Sequence, residues 1–207
     1  MLRRAFVLLA VATVLPLPAS AADDIEALLA RVRQQLVDAP VQRGQFEQRK
    51  TVRGFKHELV SRGDYLVARE RGVLWHTREP FESTLVVTRE RLLARQTDGS
   101  VTTRLEARDE PALRTINEML FALMAADFRV LLERFSIEGR MQGEGWHLAL
   151  TPRDAALASW IAGIEIEGDR HVRQVSLREA QGDRSVLRFS APSVSPSLTP
   201  AEEAQFD

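Results

Sequence analysis

The chain has 207 residues, of which 44% are hydrophobic, 28% are charged and none is cysteine. This composition is typical of one globular domain, and it excludes disulfide-stapled miniproteins, cysteine zinc sites and thiol catalysis. With 28 Lys and Arg against 29 Asp and Glu, the formal net charge is -1, so the chain lacks the positive field that draws proteins to nucleic acid, and no nucleic acid is expected as a partner.

The first 21 residues have the pattern of a secretory signal peptide. Arg3 and Arg4 precede an apolar run over residues 5–15, and the segment ends in the small-x-small pattern Ala19-Ser20-Ala21. The run is shorter than the ~20 residues needed to span a bilayer. We predict a signal peptide over residues 1–21, a single domain over residues 22–207 and export to the periplasm. A lipid anchor is not expected, because lipidation at the cleavage site requires a cysteine.

An amphipathic helix is predicted next. Asp23 and Glu26 form a capping box, and apolar residues recur at helical spacing over residues 25–36 until Pro40 stops the run.

Short segments rich in Val, Leu, Thr and aromatics then follow over residues 44–105, separated by Gly and Pro. The breaks are too closely spaced for crossover helices, so the segments predict successive antiparallel strands. The predicted strands are residues 44–52, 56–67, 73–77, 83–88, 92–97 and 101–105.

Helical spacing returns in the middle of the chain. Pro111 stands at a first-turn position, apolar residues continue to Met124, and Asp127 is placed to cap a short helix over residues 128–134. Strands are predicted again beyond that helix, with Gly-Asp pairs as hairpin turns. These strands are residues 135–141, 146–151, 161–167, 172–179 and 185–190. The Pro- and Ser-rich tail over residues 192–200 is predicted to be extended.

These elements predict a mainly β protein with α-helices, built on one antiparallel sheet of about ten strands. A sheet of that size tends to curl or close, which creates a concave face. Helices inserted midway along the chain are placed to cover that face, where an apolar ligand would lie.

The sequence does not favour an enzyme. Its four histidines, His57, His76, His147 and His171, lack the spacing of a metal-ligand pair, and no nucleophile elbow, Walker loop or dinucleotide fingerprint occurs. Glu165 and Glu167 alternate on a predicted strand, as in a glycosidase pair, but this pattern is more typical of a solvated face. We predict no catalytic residue, metal or cofactor. A hydrolase built from scattered residues is the weaker alternative.

Four motifs follow the predicted first helix in the sequence. They are Gln45-Phe46-Glu47-Gln48-Arg49-Lys50, Ser61-x-Gly63-Asp64-Tyr65-x-x-x-Arg69, Gly72-Val73-Leu74-Trp75 and Pro80-x-Glu82-Ser83-x-Leu85-Val86-Val87. A thinner match follows at Leu148-x-Leu150-Thr151-Pro152. In this order and spacing the sequence resembles the LolA-type periplasmic lipoprotein carriers.

The resemblance implies an incomplete barrel of antiparallel strands whose apolar concave face is covered by a helical lid. It also implies that this face shields the acyl chains of lipoproteins between the inner and outer membranes. It implies as partners an inner-membrane transporter that loads the cargo and an outer-membrane acceptor lipoprotein that receives it. Since the chain has no cysteine, it resembles the soluble carrier, and we expect a monomer. The alternative is a lipid- or glycolipid-binding subunit of a dedicated envelope export system.

Several residues of this chain match functional positions of the family. Arg69 matches the arginine that holds the lid shut in the empty state by hydrogen bonds to lid backbone carbonyls, with an ordinary solvated arginine as the alternative. Residues 120–124 match the apolar lid segment of the family, with an ordinary core helix as the alternative. Other positions match the wall of the cavity, with ordinary core packing as the alternative. The predicted acyl-chain cavity residues are Leu36, Phe46, Val73, Trp75, Phe121, Leu123 and Met124.

The chain departs from the family pattern at three places. Glu70 replaces a proline after the matched arginine, and Arg89-Glu90-Arg91 replaces an Asp-Gly turn. The chain also stops at Phe206-Asp207, where the family continues through another strand. These departures predict a divergent relative whose lipid cargo differs.

Overall fold

A computed structural model describes residues 21–109, 121–122 and 127–207 of the chain. The predicted signal peptide and most of the predicted lid helix lie outside these residues. The described helices are α1 (Ala21–Gln35), α2 (Phe128–Arg134), α3 (Ala155–Ala158) and α4 (Pro200–Glu203), followed by a 3-10 turn (Ala204–Phe206). The described strands are β1 (Val41–Thr51), β2 (Leu59–Ala68), β3 (Gly72–Glu79), β4 (Ser83–Val87), β5 (Arg91–Gln96), β6 (Val101–Glu106), β7 (Phe135–Gln142), β8 (Gly145–Pro152), β9 (Ile161–Gly168), β10 (Val172–Glu179) and β11 (Arg184–Ser195).

The described strands form one antiparallel sheet in the order β6-β5-β4-β3-β2-β1-β11-β10-β9-β8-β7. Consecutive strands are neighbours because short turns join them, while β1 and β11 bring the two halves of the chain together. The edges of the sheet are β6 and β7, which do not pair with each other in the part of the chain that is described. The predicted mainly β architecture, an incomplete barrel, is confirmed.

Helices α1 and α2 cover one face of this sheet, which is the concave side of the incomplete barrel. Alternate residues of each strand point to that face. Apolar side chains of α1 and α2 pack there against β7, β8 and β9, so this half of the concave side is filled by a core. The buried members of this core are Leu29, Val32, Ala122, Phe128, Leu131, Phe135, Ile137, Trp146, Leu148, Leu150 and Ile166.

The carboxyl-terminal segment covers part of the opposite face. Phe206 is only 2% exposed and packs into a second apolar cluster. The Arg43 guanidinium forms two hydrogen bonds with the Glu202 carboxylate, at 2.5 and 2.6 Å. Arg91 donates to the backbone oxygens of Phe206 and Asp207 at 2.6 and 2.7 Å. The other members of the second cluster are Val41, Leu66, Ala68, Leu74, Val86 and Leu93.

The tail largely has its predicted form. Over the predicted extended segment, residues 192–200, β11 continues to Ser195, and a short helix begins at Pro200, the last residue of that range. Thr199 and Glu202 form a capping box around Pro200, and this pattern favours a helix start over a continued extended chain. None of the described helices is long and apolar enough to cross a bilayer.

Candidate functional site

Four aromatic side chains lie together on the concave face of the first half of the sheet. The antiparallel register pairs Phe46 of β1 with Phe189 of β11, and Tyr65 of β2 with Trp75 of β3. Phe46 also pairs with Gly63, which is two residues from Tyr65 and therefore on the same face. We call Phe46, Tyr65, Trp75 and Phe189 the aromatic cluster.

The rings of the aromatic cluster contact one another in tilted and edge-on geometries. The Phe46 and Trp75 centroids are 4.1 Å apart, and Tyr65 meets Phe189 edge-on at 5.3 Å. Trp75 also lies 6.0 Å from Phe189 at a right angle. Such pairs contribute about 0.5 to 1.5 kcal/mol beyond the burial of their area, so the cluster forms a fixed surface.

Two glycines make room for these rings. A Cβ atom at Gly44 would lie 2.7 Å from the ring and the hydroxyl of Tyr65, and one at Gly63 would lie 2.9 Å from the ring of Phe46. Both distances are shorter than a van der Waals contact, so each ring lies over the bare backbone of the adjacent strand. A Cβ atom at Gly63 would also clash with the backbone oxygen of His76, and one at Gly44 would lie 2.7 Å from that of Ser190. A larger residue at either glycine would therefore press against the neighbouring strand as well as against a ring.

The aromatic cluster is surrounded by apolar side chains that are only partly covered. Phe46 is buried, whereas Tyr65, Trp75 and Phe189 are half-buried. Leu85, the partner of Trp75 on β4, is also half-buried. The concave face here is therefore apolar and accessible in part, which is the character of a wall that a hydrocarbon chain can contact.

Tyr65 contributes a phenol hydroxyl to the aromatic cluster. Burial raises the pKa of its phenol, so the hydroxyl stays protonated at neutral pH. No hydrogen bond joins this hydroxyl to any of the described residues. The group can donate to a carbonyl or ester oxygen of a bound molecule.

The predicted cavity residues fall into three groups. Phe46, Val73 and Trp75 share the concave face, where Val73 is buried beside Val87. Leu36 lies apart from them and packs half-buried against the core under α1. Phe121 is buried, while Leu123 and Met124 lie outside the described residues.

Sequence reasoning missed Tyr65 and Phe189. Tyr65 could have been predicted from the sequence, because it lies two residues after Gly63 on a predicted strand and therefore points to the same face as Gly63. Phe189 was not, because its place beside Phe46 depends on the pairing of the first and last strands.

Arg69 lies in the turn between β2 and β3 and contacts the connection from α1 to β1. Its guanidinium donates to the carboxylate of Asp38 and, at 3.5 Å, to the carbonyl of Ala39. Its Nε is buried and has no hydrogen-bond partner in the described part of the chain. Most of the lid segment lies outside that part, so the latch role of Arg69 stays a prediction.

A different arginine contacts the lid segment. The guanidinium of Arg89, in the turn between β4 and β5, lies 4.5 Å from the centroid of the Phe121 ring. Phe121 is 6% exposed, so the ring is shielded from water while the cation lies over it. Arg89 belongs to the Arg89-Glu90-Arg91 stretch by which the sequence departs from the family turn.

A cavity of about 730 Å³ lies on the opposite face of the sheet, beside α4. Its charged side chains have intramolecular partners: Arg43 pairs with Glu202, and Asp64 with Arg78. The Arg43 hydrogen bond lowers the pKa of the Glu202 carboxyl to about 2. This polar groove is unlike the apolar concave face.

The residues considered for catalysis do not assemble into a site. Glu165 and Glu167 are both exposed and point away from the concave face, as predicted for a solvated face. His76 shares a hydrogen bond of 3.0 Å with Thr84 on the adjacent strand. Within residues 21–109, 121–122 and 127–207, no group of three His, Asp or Glu side chains is close enough to hold a metal ion.

The chain is similar to known carriers at the level of its family. A family model described as "Outer membrane lipoprotein carrier protein LolA" matches residues 39–202. Among solved structures, a LolA superfamily protein from Nitrosomonas europaea is 11% identical with a TM-score of 0.46, over 85% of this chain and 95% of that one. A structure described as an outer membrane lipoprotein-sorting protein domain, from Vibrio parahaemolyticus, is 9% identical with a TM-score of 0.45, over 86% of this chain and 97% of that one. No curated protein matches the chain.

Proposed function

The chain belongs to the LolA family of outer membrane lipoprotein carrier proteins, and from that premise we propose that it shields the acyl chains of lipoproteins, or of related lipidated cargo, between the inner and outer membranes. Binding is reversible burial of hydrocarbon on the concave face, without covalent chemistry, metal or cofactor.

The aromatic cluster carries this proposal. Each methylene that leaves water is stabilised by about 0.8 kcal/mol, so a long acyl chain needs a sizeable apolar surface to cross an aqueous space. Tyr65, Trp75 and Phe189 offer such a surface and are only half-buried without cargo. We propose that the Tyr65 hydroxyl donates to an ester or amide oxygen of the cargo.

Release requires that burial be reversible. A lid that covers the empty concave face competes with cargo, because the contacts of the closed lid are lost when hydrocarbon enters. Arg89, through Phe121, is one such contact. We propose Arg69 as a second, acting through the connection between α1 and β1 that it holds by Asp38.

The pathway follows from the same premise. Residues 1–21 direct the chain to the periplasm, and the mature domain accepts cargo there from an inner-membrane transporter. It then delivers the cargo to an outer-membrane acceptor lipoprotein. The carrier works as a monomer.

The direct test is binding of a fluorescent fatty acid and of a triacylated lipopeptide. Leu85→Glu places a charge on the concave face next to Trp75, and we expect it to weaken binding of both ligands by about tenfold or more. Thr84→Glu is the matched control, because the adjacent residue of β4 points to the opposite face. Equal loss in both variants, or no loss in Leu85→Glu, contradicts the proposal.

Native mass spectrometry of the purified protein identifies the cargo class. Lipopeptide adducts support the carrier of lipoproteins. Fatty acid, phospholipid or glycolipid adducts instead support a lipid-binding subunit of an envelope export system. Turnover of an ester or glycoside panel that is lost on substitution of one polar residue would favour a hydrolase.

A further inference from the structure

Exposed aromatic side chains gather at one end of the sheet. Phe55, Phe81 and Trp160 are 65%, 82% and 68% exposed, whereas the rings of the aromatic cluster are buried or half-buried. They lie in the connections that follow β1, β3 and β8. Since neighbouring strands are antiparallel throughout the sheet order, these three strands run in one direction and end at the same end of the barrel. We call Phe55, Phe81 and Trp160 the aromatic rim.

Hydrogen bonds order the connections that carry the aromatic rim. The carbonyl of Trp160 accepts from the backbone N–H of Ala180 at 2.9 Å. The carboxylate of Asp183 accepts from the backbone N–H of Arg53 at 2.9 Å. The turn between β10 and β11 therefore links the loop of Trp160 to the loop of Phe55.

Two further exposed apolar side chains lie at the same end of the sheet as the aromatic rim. Leu59 and Val101, the first residues of β2 and β6, are 53% and 52% exposed at the same end of the sheet. Leu59 is separated from Gly63 and Tyr65 by even numbers of residues, so it lies on the concave face. Ser61 and Gly63 lie between Leu59 and Tyr65 on this face of β2, so Leu59 stands on the same face as the aromatic cluster but is separated from it by a polar residue and a glycine.

Charge around the rim is asymmetric. Arg53 and Lys56 flank Phe55, are exposed and form no ion pair with any residue that the structure describes. The carboxylates at this end mostly lie beside cations: Asp183 is 3.6 Å from a lysine of β1, Glu58 is 3.6 Å from Arg49 and Glu79 is 3.1 Å from Arg62. Glu82, next to Phe81, lies 3.4 Å from the ring of His76. The free cations therefore stand beside an exposed aromatic ring.

We propose that the aromatic rim docks the protein onto the surface of a phospholipid bilayer. Trp and Phe rings favour the boundary between headgroups and acyl chains, and unpaired Arg and Lys beside them fit lipid phosphates. The three rings stand on separate loops with polar residues between them, which suits independent insertion into a fluid surface. A protein partner would favour a contiguous, desolvated patch.

The consequence for transport rests on the proposed function. Docking at the rim would bring one end of the concave face close to the membrane, so that an acyl chain would travel a shorter distance through water. Docking itself needs no cargo.

The test is co-sedimentation of the purified protein with vesicles of phosphatidylethanolamine and phosphatidylglycerol, without cargo. The triple variant Phe55→Ser, Phe81→Ser, Trp160→Ser should lose about a thousandfold in vesicle affinity, since each of the three inserted rings contributes about tenfold. The matched control is Leu105→Ser with Val194→Ser, two exposed apolar residues away from the rim. Arg53→Gln with Lys56→Gln should weaken binding to these vesicles and reduce its salt dependence.

A second readout does not depend on the folding of the triple variant. Brominated lipids should quench the emission of Trp160, so quenching should be smaller in Trp160→Phe than in the unchanged protein. Absent vesicle binding, equal binding by the triple variant, or quenching that is unaffected by Trp160→Phe overturns the proposal. Rim variants that impair transfer to a membrane protein without any vesicle binding would assign the rim to a protein partner instead. Fatty-acid binding in solution tests the carrier function separately, because it involves neither vesicles nor the rim.

Discussion

Removal of the Arg89 side chain should tighten the apparent binding of a fatty acid. In the structure the Arg89 guanidinium lies 4.5 Å from the centroid of the buried Phe121 ring, within the range of a cation–π contact. If cargo displaces the lid segment, this contact exists only in the closed, empty state. Its loss in Arg89→Ala then lowers the free energy of opening and leaves the bound state unchanged.

The magnitude follows from the exposure of the pair. Phe121 is 6% exposed and Arg89 is exposed, which places the contact near the lower end of the cation–π range, at about 1 kcal/mol. When the closed state dominates, the apparent dissociation constant scales inversely with the open fraction. We therefore expect about fivefold tighter binding in Arg89→Ala.

The assay is a titration with a fluorescent fatty acid at fixed ionic strength. Arg89→Lys should retain part of the effect of the cation, and Arg140→Ala removes an exposed arginine of β7 as a charge control. A double-mutant cycle with Phe121→Leu isolates the pair. Unchanged or weaker binding in Arg89→Ala, or additive effects in the cycle, would refute the reasoning.

Three further outcomes are expected. Phe206→Ala should lower the free energy of unfolding by about 3 to 5 kcal/mol in urea, because the ring is 2% exposed; a loss under about 1 kcal/mol would mean that the tail is not part of the cooperative core. The pKa of Glu202 is lowered from 4.5 to about 2 by the Arg43 hydrogen bond, so its stabilisation is present above pH 4.5 and lost as the pH falls through about 2. Glu202→Gln should therefore cost about 1 kcal/mol at pH 7 and little at pH 2, measured by denaturation across that range. Arg69→Leu should leave the circular dichroism spectrum unchanged but slow cargo transfer to an acceptor, and equal transfer would show that Arg69 is no latch.

Local pattern was enough to predict the described strands, but not the short helices α3 and α4. The strands were placed from alternating apolar residues between Gly and Pro breaks, and most observed bounds lie within a few residues of the predicted ones. The Pro and Ser residues of the tail do not favour a helix, so the short helix that begins at Pro200 is not predicted, although Thr199 and Glu202 have the spacing of a capping box.

The order of the motifs was also sufficient to predict the family and, with it, Phe46, Val73 and Trp75 as one surface. Their common face follows from the period of two along each strand and from hairpins that join β1, β2 and β3 in sequence. Both relations act between residues close in the chain, so they are encoded locally.

Only the tertiary structure placed Phe189 beside Phe46, Asp38 beside Arg69 and Phe121 beneath Arg89. It also brought the three residues of the aromatic rim to one end of the barrel. These neighbours belong to elements far apart in sequence. Their meeting depends on which strands pair and in which register, and that is set by the burial of the whole sheet and its helices rather than by any short stretch of the chain.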